Sequence, residues 1–160
     1  MPLKRILRAR FILPALVFLI PLVLYSITLT TGFVYDDEAQ VVDNPWIRDP
    51  GKIPTIFVSS TMAFLKGHKA NAYRPVFYLL CMAKYLIFGL RPWAWHLVNV
   101  VLHCMNALAL YFLASIFFSR QKTATPDKDA TRPWALAPLF TTLVFALHPI
   151  KSEVAAWWGL

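Results

Sequence analysis

Lys4, Arg5, Arg8 and Arg10 stand immediately before an apolar run from Phe11 to Leu29, and that run decides which solvent the chain must fold in. As a helix rising about 1.5 Å per residue, it comes close to the ~30 Å thickness of a hydrocarbon core. The basic flank places the N-terminus on the cytoplasmic side, where Lys and Arg accumulate. A cleaved signal peptide opens the same way, but this run is long for one, and no small-x-small site closes it before Tyr35. We read an uncleaved anchor over about residues 11–31. Pro14 and Pro21 would bend it, which neighbouring helices tolerate in a bundle.

Composition agrees with a lipid solvent. The chain is 58% hydrophobic and 15% charged, a balance that would leave a soluble domain with large exposed apolar patches. The net charge of +8 does not indicate nucleic acid, because the basic residues gather beside apolar segments and form no stripe interleaved with aromatics. Cys81 and Cys104 lie in apolar runs without close spacing, so they make neither a disulfide framework nor a zinc site, and are read as packing residues.

From 32 to 72 the character changes. Gly32, Asp36, Asp37, Glu38, Asp43, Asn44, Pro45, Asp49, Pro50, Gly51 and Pro54 break any long apolar period, which makes this a sizeable extramembrane loop. Within it, Ile53 to Leu65 is consistent with a short helix on the membrane surface. The stretch from Tyr73 to Leu90 is apolar enough to span, yet carries Arg74 and Lys84. If it crossed, the basic segment from Ser119 to Pro133 would lie opposite the basic N-terminus, against the positive-inside tendency. We therefore expect a juxtamembrane helix, with Lys84 snorkelling to water.

The second span is expected over 95–118, with Trp93 and Trp95 as interfacial anchors at its outer end and Arg120 and Lys122 past its inner end. A cytoplasmic loop follows over about 119–133. A third apolar helix runs from Trp134 to Leu147, reaches only about 21 Å, and is interrupted by His148 and Pro149; it should end in a protein-lined vestibule. Glu153 to Leu160 is apolar again and carries no helix-ending signal, so the chain reads as truncated. The expected fold is an all-α membrane protein. Residues 1–160 form the N-terminal part of a multi-pass domain, with about three transmembrane helices (11–31, 95–118, 134–147) and juxtamembrane helices in a long first extracytoplasmic loop, 32–94.

This topology gathers polar groups on one side of the membrane. Asp36, Asp37 and Glu38 follow the first helix, Arg74 precedes the second, His96 and Asn99 sit at the outer end of the second, and His148 and Glu153 lie beyond the third. Adjacent carboxylates repel unless a cation or protonated acceptor offsets them; one can act as a general base while the other orients it, or an aspartate can simply cap the next helix. His96, Asn99, His103 and Asn106 share one helix face, which suits a cavity lining, a metal site or interhelical hydrogen bonds. Arg74 can bind a phosphate through paired donors or meet lipid headgroups. His148 and Glu153 are too irregularly spaced for a helical metal pair and also fit the polar end of a helix.

The residues Phe33-Val34-Tyr35-Asp36-Asp37 with Asn44-Pro45, Tyr73-Arg74-Pro75-Val76, Phe88-Gly89-Leu90, His96-Leu97-Val98-Asn99-Val100-Val101-Leu102-His103, and Ala146-Leu147-His148-Pro149-Ile150 with Glu153 and Ala156-Trp157 occur in that order. In this arrangement the chain resembles the C-class membrane glycosyltransferases, in particular the transmembrane and tetratricopeptide-repeat O-mannosyltransferase-like proteins and their bacterial relatives. The resemblance implies transfer of a sugar from a polyprenyl-phosphate-type lipid donor to an acceptor hydroxyl, including protein Ser/Thr, on the extracytoplasmic side. It implies Asp36 or Asp37 as the catalytic base, Arg74, His148 or Lys151 at the donor phosphate, and Glu38, His96, Asn99 and Glu153 in support. Lys151 stands where relatives often carry histidine. A divalent cation is compatible with the acidic residues but not implied. The implied partners are the lipid bilayer, a lipid-linked sugar and an acceptor protein, and the implied location is a bacterial inner membrane or the endoplasmic reticulum. Further spans and helical repeats of about 34 residues are expected downstream. The competing reading is a non-catalytic assembly subunit or a transporter fragment, which would place ionisable groups near the bilayer midplane.

Overall fold

The computed structural model describes residues 2–34, 37–60, 63–64, 73–124 and 136–148, with the backbone alone for 2–10 and 121–124. Every regular element among the described residues is helical. Among these residues are five α-helices, α1 (Pro2–Tyr25), α2 (Ile53–Val58), α3 (Pro75–Phe88), α4 (Pro92–Ala124) and α5 (Ala137–Leu147), with short 3₁₀ and π turns between α1 and α2. Among the described residues two stretches are long and apolar enough to cross a membrane, Phe11–Thr30 and Pro92–Arg120. The chain divides into two compact units, whose described parts are 2–30 with 96–148, and 31–95.

In the first unit, α1 runs through Pro14 and Pro21 without a break and passes into a 3₁₀ turn over Ser26–Thr30. The end of an apolar helix leaves carbonyls without donors. Here three hydroxyls supply them: Ser26, Thr28 and Thr30 donate to the carbonyls of Val23, Tyr25 and Ile27 at 2.7, 2.8 and 2.8 Å. Tyr25, Val100 and Cys104 pack with Phe18 and Leu22, and Val17, Ala107 and Ala146 form a second cluster with Leu108, Tyr111, Leu139 and Phe145. Ala107 and Ala146 are wholly buried; small residues at such a crossing let backbones approach closely. Outward, α1 with its following 3₁₀ turn, α4 and α5 present Phe11, Val23, Ile27, Leu113, Ile116, Phe117, Phe140 and Val144, an apolar surface suited to lipid.

The second helix is longer than the expected 95–118, extending from Pro92 to Ala124. Pro92 starts it with φ already set, and the polar residues after Phe118 end the span without ending the helix, since Arg, Gln and Lys are good helix formers. The third is shorter, beginning at Ala137 with Pro138 in its first turn and stopping at His148, whose backbone is extended as a residue before proline prefers.

The 31–95 unit carries a core of its own. Val41, Ile47, Ile56, Tyr78, Cys81, Met82 and Trp95 are buried together, with Phe33, Trp46, Phe64, Phe77 and Tyr85 packed against them. What the sequence presents as an irregular loop is therefore a folded module between the two candidate spans. The helix expected from Ile53 to Leu65 covers Ile53–Val58; residues 65–72 lie outside the described residues. Tyr73 Oη donates to the Phe57 carbonyl at 2.7 Å, tying the end of α2 to the start of α3. At the C-terminus of α3, Gly89 has φ 61° and ψ −148°, a conformation that essentially only glycine holds without strain. Its N–H donates to the Tyr85 carbonyl at 2.8 Å.

Two expectations about this module are corrected. Lys84 does not snorkel; it is 2% exposed, while Val76, Leu86 and Ile87 on the same helix are largely exposed. The helix buries its cation and shows its apolar face, because the Tyr78, Cys81 and Met82 side packs on the module's core. Trp95 is not an interfacial anchor either. It is wholly buried, whereas Trp93 is half exposed, and its indole N–H donates to the Gly89 carbonyl at 2.8 Å.

Candidate functional site

Asp37 opens the site in the 31–95 unit. Its side chain is fully buried and folded back on the preceding chain: the Val34 N–H donates to Asp37 Oδ2 at 3.2 Å, and the Asp37 N–H donates to the Val34 carbonyl at 3.1 Å. This reciprocal pair ties Asp37 back to Val34. Beyond it lies a π-helical turn, Glu38–Val42, a form that is rare and concentrates at functional sites. Glu38 is exposed on that turn, and Gln40 is buried with its Oε1 lacking a hydrogen-bond partner among the described residues. Asn44, also buried, ends the turn: its Nδ2 donates to the Gln40 carbonyl at 3.0 Å and its Oδ1 accepts from the Trp46 N–H at 2.9 Å. That is an Asx turn leading through Pro45, which supplies a structural reason for the Asn44-Pro45 pair.

Lys84 faces this region from α3, which lies outside both candidate spans. Its Nζ donates to the Trp95 carbonyl at 3.3 Å and stands 5.4 Å from the centre of the Trp95 ring. The same ring meets Phe33 edge-on at 5.9 Å, so Lys84, Trp95, Phe33 and the Val34–Asp37 turn form one packed sequence of contacts. Burial pushes the Lys84 ammonium down to about 7, against the opposing influence of Cys81 and of the Asp37 charge. Burial pushes the Cys81 thiol up to about 12, which keeps it protonated and unreactive as a nucleophile. Arg48 Nη2 donates to the Val42 carbonyl, and its guanidinium lies 5.6 Å from the Tyr85 ring centre. Arg74 is half-buried at the N-cap of α3.

The other unit holds the described histidines. His96, Asn99 and His103 are buried on α4, but Asn106 is exposed. The buried face continues through Cys104 and Ala107, which point into the helix crossing, so the expected polar stripe of four stops at three. His103 Nε2 and Tyr25 Oη each lie 3.0 Å from the Ala146 carbonyl. A carbonyl only accepts, so Nε2 carries the proton. The histidine ring also stacks on Phe145 at 6.0 Å and meets Tyr25 edge-on at 5.3 Å. This is the interhelical hydrogen-bonding role weighed for the stripe. His148 is exposed just past α5. Among the described residues no group of His, Cys, Asp and Glu could hold a metal ion.

Of the residues singled out from the sequence, Asp37, Glu38 and Arg74 belong to the module between the spans, and His96, Asn99 and His148 to the helical unit. Asp36, Lys151 and Glu153 lie outside the described residues. Sequence reasoning missed the inward-facing role of Lys84. The available signal was a lone cation in an apolar helix, which requires a named counter-charge, in a chain that offers an acidic pair.

No family model and no solved structure matches this chain. Curated proteins do. Protein O-mannosyl-transferase TMTC1 of Homo sapiens is 32% identical over 137 residues, covering 82% of this chain and 14% of the relative. Protein O-mannosyl-transferase TMTC2 of Homo sapiens is 31% identical over 137 residues, 84% of this chain and 15% of the relative. Protein O-mannosyl-transferase TMTC3 of Mus musculus is 26% identical over 133 residues, 81% and 13%. The chain thus spans about one seventh of the length of the relatives it matches, and by this sequence relation it belongs with the TMTC-like protein O-mannosyl-transferases.

Proposed function

We propose that this chain is the N-terminal part of a multi-pass membrane glycosyltransferase that moves mannose from a polyprenyl-phosphate-type lipid donor to a protein hydroxyl on the extracytoplasmic side. The N-terminus is cytoplasmic, α1 and α4 cross the bilayer, α5 is a third, short membrane helix, and the module between the spans lies outside the cytosol. The observation that carries this reading is an acidic pair, Asp36-Asp37, at the entry to a folded module between two candidate spans, in a chain whose relatives are named for mannosyl transfer.

The chemistry divides between the two acids. Asp37, buried and bonded to the Val34 N–H, suits the orienting role; Asp36 is then the base. As Asp36 takes the acceptor hydroxyl proton, the oxygen bonds to the anomeric carbon, and the bond from that carbon to the lipid phosphate breaks with inversion. Negative charge grows on the departing phosphate, and Arg74, His148 and Lys151 are the cations proposed to offset it. Glu38, His96, Asn99 and Glu153 support the site. The lipid-linked sugar and the acceptor protein are the partners; a divalent cation is compatible with the acidic residues but not implied.

In the gene product that carries this chain, Asp36→Asn should lower mannosyl transfer by about 10²-fold or more, as expected when a general base is removed, and Asp37→Asn should lower it less. The check is transfer of radiolabelled mannose from a polyprenyl-phosphate donor to an acceptor peptide in membranes with matched expression. Wild-type rates in both variants would reject the reading.

A further inference from the structure

The last turn of α5 is held by contacts that the chemistry above does not use. A helix end leaves carbonyls without backbone donors, and here the sequence removes the usual replacement. The residue three past Ala146 is Pro149, which has no N–H, and the intervening His148 is extended, with φ −60° and ψ 133°. The Ala146 carbonyl takes two side-chain donors instead, Tyr25 Oη from the end of α1 and His103 Nε2 from α4, each at 3.0 Å. Tyr25, His103 and Ala146 are 6%, 3% and 0% exposed, so bulk water replaces neither donor once it is lost. The His103 ring also stacks on Phe145 and meets Tyr25 edge-on, which grips the residue before Ala146 as well. Tyr25 is itself fixed, because its carbonyl accepts from Thr28 Oγ1 at 2.8 Å. His148 is the second residue past this grip, and it is exposed.

We propose that Tyr25 and His103 are positioning residues: by jointly holding the Ala146 carbonyl, they fix the end of α5 and so the place from which His148 reaches the donor phosphate. This rests on His148 serving as one of the phosphate cations. Tyr25 and His103 are both buried and meet no substrate. Their two bonds come from chain segments 121 and 43 residues away, so they tie the α5 terminus to α1 and α4 rather than to its own helix. With one donor gone the turn loosens. With both gone a buried acceptor is stranded, and the last turn must shift or unwind to hydrate it, carrying His148 along.

The test uses the gene product that carries this chain, with Tyr25→Phe, His103→Ala, the two combined, and His103→Gln, whose amide keeps a donor in the place of Nε2. The first readout is the electron paramagnetic resonance spectrum of a nitroxide on His148→Cys, with Ser119→Cys on α4 as reference, in an otherwise cysteine-free background. The proposal expects the combined variant to add a mobile component at His148→Cys and none at Ser119→Cys, and His103→Gln to keep the wild-type spectrum. The second readout is mannosyl transfer at varied lipid donor. The combined variant should raise donor KM about tenfold, inside the ~10²-fold that a misplacement of about 1 Å can cost, with kcat within about twofold. In His148→Ala, where donor KM is already raised, adding the combined substitutions should raise it no further. An unchanged spectrum at His148→Cys in the combined variant, a loss confined to kcat, or KM effects that multiply with His148→Ala overturns the proposal. If the combined variant does not fold, His103→Ala against His103→Gln decides: a mobile label in the first alone supports the proposal, and equal spectra overturn it. Should His148→Ala keep the wild-type donor KM, the phosphate role of His148 fails on its own, while the label still decides whether the two donors hold the end of α5.

Discussion

An ammonium removed from water gives up hydration worth on the order of several kcal/mol, and Lys84 recovers part of this through the Trp95 carbonyl, the Trp95 ring and the charge of Asp37. Burial still outweighs the partners, because the net displacement of Lys84 is downward, to about 7. The folded chain therefore binds fewer protons at this site than the unfolded chain between about pH 7 and the ordinary lysine value of 10.5, and stability rises with pH across that window. We expect the unfolding temperature of the wild type to increase from pH 7 to pH 9, and Lys84→Met to lose that increase; a wild type that falls over this interval while Lys84→Met does the same would contradict the assignment. Cys81 opposes the rise only near the top of this interval: burial displaces its thiol upward from the ordinary value of 9.0, so the unfolded chain gives up that proton first and stability falls as pH passes 9. The acidic pair was legible from adjacency alone, but the burial of Asp37 was not. The burial of Asp37 comes with a bond from the Val34 N–H, a contact that no periodic pattern encodes.

At the level of elements, α1, α4 and α5 meet at a single acceptor. The Ala146 carbonyl lies in the last turn of α5, where no helical N–H reaches it, and it receives Tyr25 Oη from α1 and His103 Nε2 from α4. Hydrogen bonds between apolar helices average about 0.6 kcal/mol and reach ~1.7. Tyr25→Phe should cost about that much, and His103→Ala somewhat more because the ring contacts with Phe145 and Tyr25 go too. Each single variant leaves one donor in place, whereas the double variant strands a buried carbonyl, so its loss should exceed the sum of the two. Thermal unfolding of the four proteins in detergent measures this; strict additivity would mean that the carbonyl does not need either donor. The helices themselves were readable, since apolar length and flanking charge announce them. Their ends shifted where span and helix part company, as at Arg120, or where proline sets the start, as at Pro138. Least readable was the 31–95 module. Val41, Ile47 and Ile56 are scattered among breakers and follow no period; only packing against Tyr78, Cys81, Met82 and Trp95 makes them a core.

At the level of the whole chain, two candidate spans bracket that module, and the apolar faces of α1, α4 and α5 left outward suit a lipid surround. The proposed chemistry requires more than spans: the acidic turn must face the compartment opposite the basic N-terminus, and the segment after α4 must return to the cytosol. The relation to the TMTC-like proteins was carried by short motifs in a fixed order, several of which have local structural reasons, such as the Asn44 turn and the conformation of Gly89. The most direct measurement is the sidedness of single cysteines in sealed, right-side-out vesicles, at Glu38→Cys in the module and at Lys122→Cys in the last turn of α4, beyond the candidate span, in a background with Cys81 and Cys104 replaced by alanine. The account predicts that a membrane-impermeant maleimide labels Glu38→Cys without permeabilisation and Lys122→Cys only after it. Labelling of both from the same side would contradict it.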